Sequence, residues 1–192
     1  MGFRALKFLV LGCSGVVFSF FLLTVILMAG IVGPFEKGST ARGEDNLGVA
    51  KGSFPIPSFF TYRYSNSFGE PRRYGGKRKH LGIDIFAKQG TPIISVKPGI
   101  VERMGWNELG GWRLGIRGKD GNYYYYAHLK EYAEKIKVNQ EIHQGQIIGY
   151  VGDTGYGPVG TKGKFANHLH FGIYNENGVV INPYSLLKMW DN

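Results

Sequence analysis

The segment His-Leu-Gly-Ile-Asp-Ile-Phe, at positions 80–86, alternates polar or small residues with apolar ones. Successive side chains of a β-strand point to opposite faces, so this pattern predicts a strand with one apolar face for a core. The apolar face consists of Leu81, Ile83 and Ile85. The other face carries His80 and Asp84 with only Gly82 between them. An imidazole and a carboxylate placed side by side are suitable ligands for zinc.

Two segments further along the chain show the same alternation. Positions 167–171 read Asn-His-Leu-His-Phe, and positions 124–129 read Tyr-Tyr-Tyr-Ala-His-Leu. The residues predicted on their polar faces are His168 and His170 in the first segment and Tyr124, Tyr126 and His128 in the second. A single strand histidine is more often a surface or hydrogen-bonded core residue than a ligand. Three such strands in this order indicate a metal site instead.

The surrounding sequence predicts a mostly β domain. Glycine accounts for 30 of the 192 residues without a Gly-X-Y period, which favours turn-rich β structure over collagen. Strands are predicted over residues 81–86, 92–96, 100–104, 112–117, 122–128, 147–151 and 168–174. Hairpin turns are predicted at 119–122 and 175–178. Only residues 130–137 have a helical composition.

The N-terminal region predicts a membrane anchor. Positions 8–35 contain no charged residue and are long enough to span a bilayer. Arg4 and Lys7 precede this run, so the positive-inside rule keeps the N-terminus in the cytoplasm. A cleaved signal peptide, which would leave a secreted domain, is the alternative. The predicted organisation is a cytoplasmic N-terminus at 1–7, a transmembrane anchor at 8–35, a linker at 36–52 and an extracytoplasmic domain at 53–192.

The charge distribution narrows the class of partner. The formal net charge is +9, and residues 53–192 carry 18 basic and 11 acidic residues, so most of the excess belongs to this domain. Such a charge favours a polyanionic partner. Nucleic acid is not expected outside the membrane, and no helix-turn-helix or RNP pattern occurs. The single cysteine, Cys13, excludes an intramolecular disulfide.

From about residue 66 to residue 183 the chain resembles the lysostaphin-type (LytM-like) zinc peptidases, which cut peptide bonds in bacterial peptidoglycan. The segments that carry the resemblance lie at 67–69 (Ser-Phe-Gly), 80–84, 90–92 (Gly-Thr-Pro), 126–129, 149–155, 168–171 and 182–183 (Asn-Pro). The resemblance implies a compact antiparallel β fold whose groove holds one zinc ion. It also implies a zinc-dependent endopeptidase that is active on peptidoglycan.

The same resemblance implies roles for individual residues. His80, Asp84 and His170 are expected to bind the zinc ion, and His128 and His168 are expected to be the catalytic histidines. One of these two is expected to take a proton from water and the other to donate a hydrogen bond to the developing oxyanion. Tyr74, six residues before the first ligand, matches an active-site tyrosine of some family members. It is a candidate substrate-binding residue.

Two further features lie next to these motifs. Positions 72–79 contain five basic residues, Arg72, Arg73, Lys77, Arg78 and Lys79. They are expected either to contact anionic wall polymer or lipid headgroups or to form a solvated face. The glycine-rich segment 156–167 is longer than in many family members. Because it leads into the His-Leu-His strand, it is expected either to border the substrate groove or to be a surface loop without function.

Two non-enzymatic functions remain alternatives to the peptidase. Some members of the family are scaffolds or activators of other wall enzymes, and they typically lack metal ligands. A zinc-binding sensor could use the same pocket. All five expected ligand and catalytic positions are filled in this chain, which favours the enzyme.

Overall fold

Residues 52–192 are the part of the chain that the computed structural model describes. Twelve strands and one helix account for the regular structure of these residues. The strands are β1 (Tyr62–Tyr64), β2 (Pro71–Arg72), β3 (Arg78–Lys79), β4 (Ile83–Ala87), β5 (Pro92–Ile94), β6 (Gly99–Asn107), β7 (Gly111–Gly118), β8 (Tyr123–Tyr132), β9 (Glu141–Ile142), β10 (Ile147–Val151), β11 (His168–Tyr174) and β12 (Val180–Ile181), and the helix is α1 (Tyr184–Trp190). The predicted mostly β, antiparallel fold is confirmed.

The main sheet brings the three histidine-bearing segments together. Its strand order is β1-β4-β11-β8-β7-β6-β9, with β10 pairing to β5 and β8 and with β12 pairing to β11. All of these pairs are antiparallel. On β11, His170 is the register partner of Asp84 on one side and of Ala127 on the other. Strands β2 and β3 form a separate hairpin.

One face of the sheet packs into the core. On β11, Leu169 and Phe171 are fully buried, as the alternating pattern predicts. Ile83 and Ile85 of the neighbouring β4 are also fully buried. Burying one such side chain stabilises a fold by about 1.5–3 kcal/mol. The opposite face of the same strands is therefore left to carry polar residues.

The seven predicted strands all occur, and residues 130–137 do not form a helix although their composition is helical. Strand β8 continues to Tyr132, because Glu131 and Tyr132 pair with Tyr150 and Gly149 of β10. Lys135 has a left-handed φ of 67°, which ends any helical path. Pairing with β10 therefore overrides the local composition. The predicted hairpin turns are present between β7 and β8 and between β11 and β12.

The predicted N-terminal segments at 1–7 and 8–35, and nearly all of the linker at 36–52, lie outside the described residues. No helix within residues 52–192 has the length and apolar character needed to cross a bilayer.

Candidate metal centre

A cleft of about 620 Å³ opens beside strands β4, β8 and β11. The side chains predicted as ligands and as catalytic histidines all line it: His80, Asp84, His128, His168 and His170. The sheet order explains the convergence, since β11 lies between β4 and β8 and these strands carry four of the five residues. His80 lies three residues before the start of β4.

Three donor atoms converge at the base of this cleft. The Nε2 atom of His80 lies 2.9 Å from the Nδ1 atom of His170 and 2.9 Å from the Oδ1 atom of Asp84. The Nδ1 atom of His170 lies 3.1 Å from the same carboxylate oxygen. Within residues 52–192, these three residues are the group of histidine, cysteine and acidic side chains placed to hold a metal ion.

The donor set fits zinc. Tetrahedral zinc sites with bonds of about 2.0–2.1 Å place their donor atoms about 3.3 Å apart, close to the separations seen here. Two imidazoles and one carboxylate also match the ligand types of catalytic zinc sites, which leave a fourth position open. The ring of His80 is fixed by its Nδ1 atom, which donates a hydrogen bond to the Ser67 carbonyl at 2.8 Å. Its Nε2 atom therefore keeps a free lone pair for a metal.

The charge of Asp84 is stabilised from two sides. Burial alone raises the pKa of this carboxyl, but its close contacts with the rings of His170 and His80 outweigh that effect and hold its pKa well below the usual range. Its other oxygen, Oδ2, accepts a hydrogen bond from the Nη2 atom of Arg72 at 2.8 Å. The Asp84 carboxyl is therefore ionised at neutral pH, as a metal ligand must be.

The role of Arg72 was missed from the sequence, which placed it in a basic surface segment. Its guanidinium turns inward and pairs with Asp84, whereas Arg73, Lys77 and Lys79 of the same segment are exposed. Arg72 and Asp84 are twelve residues apart in sequence. Only the folded β2–β3 hairpin brings them together.

His128 and His168, which lie outside the donor group, are each fixed by a hydrogen bond from Nδ1 to a backbone carbonyl. The Nδ1 atom of His128 donates to the Thr154 carbonyl at 2.7 Å, and that of His168 donates to the Ala166 carbonyl at 2.7 Å. Their ring centroids are 4.7 Å apart. Burial lowers the pKa of His168 and lowers the pKa of His128 well below its ordinary value. Both rings are therefore neutral at pH 7, and each has a free lone pair on Nε2.

The prediction that Tyr124 and Tyr126 share a face with His128 is wrong. Tyr124 and Tyr126 are buried in the core, and Tyr125 lines the cleft with His128. A β-bulge causes the change. Trp112 of β7 pairs with Leu129 and Leu114 pairs with Tyr126, so β8 has one more residue than β7 between these two pairs. His128 has a left-handed φ of 62° within this bulge. The extra residue turns its side chain to the cleft.

The predicted face of residues 80–86 is wrong at Leu81. This side chain is 42% exposed and lines the cleft, while Ile83 and Ile85 are buried as predicted. The cause is that β4 begins only at Ile83, so strict alternation does not extend back to His80.

Aromatic side chains form one wall of the cleft. Tyr156 and Phe165, both from the glycine-rich segment 156–167, line the cleft, and the Phe165 ring lies 4.5 Å from the His128 ring. This segment therefore borders the groove, which is one of its two predicted placements. Tyr74 lies in the turn between β2 and β3 and stacks on Tyr156, with ring centroids 4.3 Å apart and planes 4° apart. Tyr74 thus supports the wall through Tyr156.

A profile of Peptidase family M23 matches residues 78–183, which include the whole donor group and both further histidines. The chain belongs to peptidase family M23. The predicted resemblance to lysostaphin-type peptidases is thereby confirmed.

M23 relatives from several bacteria share this domain. The L-Ala--D-Glu endopeptidase of Bacillus subtilis (strain 168) is 46% identical over 165 residues, which cover 84% of this chain and 50% of the relative. The structure of a Ruminococcus gnavus protein assigned as a glycyl-glycine endopeptidase, lytM, has 42% identity and a TM-score of 0.66, covering 73% of this chain and 60% of that one. The catalytic domain of lysostaphin from Staphylococcus simulans has 32% identity and a TM-score of 0.55, covering 66% and 92%. The chain spans half the length of the B. subtilis relative.

A glycine is required at position 82 of this M23 domain. A Cβ atom there would lie 2.5 Å from the Phe171 carbonyl oxygen and 2.8 Å from the His170 ring. We expect Gly82→Ala to displace His170, to lower metal affinity about 10–100-fold and to destabilise the fold by about 1–3 kcal/mol. Metal competition with a chelator and thermal unfolding measure the two effects.

Gly149→Ala is the matched control for this prediction. Position 149 lies on β10, where an added Cβ would be 3.0 Å from the nearest atom, a backbone oxygen, and no donor atom is in contact. This variant is expected to lose some stability and to keep wild-type metal affinity. Wild-type affinity in Gly82→Ala would show that the glycine is not needed to position His170.

Proposed function

We propose that the chain is a zinc-dependent endopeptidase that hydrolyses peptide bonds in the stem peptides or cross-links of bacterial peptidoglycan. The observation that carries this proposal is the convergence of His80, Asp84 and His170 beside two neutral histidines in one cleft. The 46% identical relative is named for an L-Ala--D-Glu bond, so we favour that stem-peptide bond as the substrate.

The proposed metal ligands are His80, Asp84 and His170. Zinc bound by such a set lowers the pKa of water toward about 7 and polarises a carbonyl group. The three donor side chains are held by the Ser67 carbonyl, by Arg72 and by one another. The site is therefore preorganised by the fold.

We assign proton acceptance to His168. Its Nε2 atom lies 3.6 Å from the Oδ1 atom of Asp84, and this carboxylate partly offsets the lowering of its pKa by burial. A neutral Nε2 lone pair can take a proton from the attacking water and return it to the leaving amine. His128, whose ring centroid lies 4.7 Å from that of His168, is the proposed contact to the oxygen of the scissile carbonyl. Its Nδ1 proton is directed to Thr154 and its ring is neutral before reaction, so it can donate there through Nε2 only after the negative charge developing on that oxygen has raised its pKa and it has taken up a proton.

The remaining proposals concern placement in the cell. We propose that residues 8–35 anchor the chain in the membrane and that residues 53–192 act outside it, on the strength of the long uncharged run and the preceding Arg4 and Lys7. The exposed Arg73, Lys77 and Lys79 support a contact with anionic wall polymer or headgroups.

Incubation of the purified 192-residue chain with isolated peptidoglycan tests the proposed activity. We expect new free amines to appear, to vanish when a chelator is added and to return when zinc is restored, because the three proposed ligands would hold the ion that the reaction needs and a chelator would remove it. Mass spectrometry of the released fragments identifies the bond. One zinc ion bound per chain without amine release would favour the scaffold or the sensor.

A further inference from the structure

Arg78 is a cation in the wall of the cleft whose charge is not balanced. Within residues 52–192, no carboxylate lies within ion-pair distance of its guanidinium. The side chain is nevertheless only partly exposed and lines the same cleft as the donor group. Arg72, on the paired strand β2, provides the contrast, since Asp84 and Glu70 neutralise it.

Two hydrogen bonds fix the position of this guanidinium. Its Nη2 atom donates to the Tyr156 hydroxyl at 3.0 Å, and its Nε atom donates to the Tyr74 carbonyl at 3.2 Å. Its centre also lies 5.7 Å from the centroid of the Tyr156 ring. The Tyr156 ring in turn lies 6.0 Å from the ring of His128. Tyr156 thus lies between Arg78 and His128, and all three side chains line the same cleft.

The free N–H groups of Arg78 are suited to a carboxylate. A guanidinium has five N–H donors in a rigid plane, and the hydrogen bonds to Tyr156 and Tyr74 occupy two of them. A held, partly desolvated guanidinium binds carboxylates more strongly than a mobile surface lysine does, because its geometry matches two oxygens and little side-chain entropy is lost.

We propose that Arg78 binds a free carboxylate on the substrate residue next to the scissile bond. The proposal rests on the proposed endopeptidase function and specifies its substrate. In an Ala–D-Glu peptide the glutamate nitrogen belongs to the scissile bond, and only one of its two carboxyl groups continues the chain. The other remains a carboxylate beside the reacting atoms. A glycine bridge has no such group, so Arg78 selects acidic stem peptides over glycine bridges.

Binding of two matched peptides to the metal-free chain, in chelator, tests the proposal without hydrolysis. The probes are L-Ala-γ-D-Glu-L-Lys amide and the same peptide with the free glutamate carboxylate also amidated. We expect the wild-type chain to bind the acid at least about tenfold more tightly than the amide, as a charge-assisted pair implies. In Arg78→Gln this ratio is expected to fall to about one.

Lys88→Gln is the matched control. Lys88 is exposed, lies outside the cleft and carries the same charge, so its loss is expected to leave the ratio unchanged. Tyr156→Phe removes one hydrogen bond that positions Arg78. It is expected to lower the ratio of acid to amide affinity partially, and it replaces Arg78→Gln as the test variant if Arg78→Gln does not fold. A wild-type ratio near one, or an unchanged ratio in a folded Arg78→Gln variant, would overturn the proposal.

Zinc-loaded hydrolysis of the acid peptide separates the two proposals. Selective binding of the acid peptide without hydrolysis would contradict the proposed endopeptidase activity and would still support carboxylate binding by Arg78. Hydrolysis of acid and amide at equal rates supports the endopeptidase and contradicts the role of Arg78.

Discussion

Replacing His170 by alanine is expected to abolish both metal binding and hydrolysis. The Nδ1 atom of this residue lies within 2.9–3.1 Å of the donor atoms of His80 and Asp84, so its loss leaves only two of the three converging donor side chains. Changes to groups that merely support a ligand lower metal affinity about 10–100-fold, and removal of a ligand itself is expected to exceed that range. Metal content after dialysis and amine release from peptidoglycan measure the two losses.

His143→Ala is the control for this variant. His143 is an exposed histidine outside the cleft, so its removal tests the general effect of losing an imidazole. It is expected to keep one metal ion per chain and wild-type activity. A His170→Ala chain that retained its metal and folded normally would show that the metal is held by a different set of residues.

Replacing His168 by alanine is expected to separate chemistry from metal binding. The side chain is not in the group of three converging donors, so the metal should remain. Loss of a positioned proton acceptor lowers hydrolysis by about 10²–10⁴-fold. The His168 ring also packs against Phe86 and Phe165, with centroids 5.2 Å and 5.0 Å away. Some loss of stability is therefore expected, and thermal unfolding should accompany the assays.

His168→Gln distinguishes lost packing from lost proton transfer. Glutamine fills more of the space than alanine does and can form hydrogen bonds, but it does not accept a proton at neutral pH. We expect it to be as inactive as His168→Ala while being more stable. If His168→Ala lost the metal as well as activity, the division between ligands and catalytic histidines would be wrong.

Local alternation was sufficient to predict the central part of this fold. The His-Leu-His pattern of β11 placed Leu169 in the core and both histidines in the cleft, because this strand is regular along its length. Alternation failed at Leu81, which precedes β4. It also failed on β8, where Tyr124 is buried in the core although the bulge turns His128 to the cleft. A bulge depends on pairing with neighbouring strands, so the sequence of one strand does not reveal it.

The supporting residues of the site were harder to predict than the donor group. Arg72 reaches Asp84 only because the β2–β3 hairpin folds over the cleft, and strands of two residues leave no periodic signal. The C-terminal helix α1 did leave a signal that was missed. Pro183 precedes it, and its buried residues Leu187 and Trp190 are three apart, as on one helix face.

His80, His128 and His168 each donate their Nδ1 proton to a main-chain carbonyl oxygen. The carbonyl oxygens of Ser67, Thr154 and Ala166 fix the rings of His80, His128 and His168, respectively. A main-chain oxygen is present whatever side chain the residue carries. Mutations at these three positions can therefore accumulate during evolution without removing the group that selects each tautomer. The chemistry of the site is protected by the path of the backbone, and divergent sequences can keep it as long as that path is preserved.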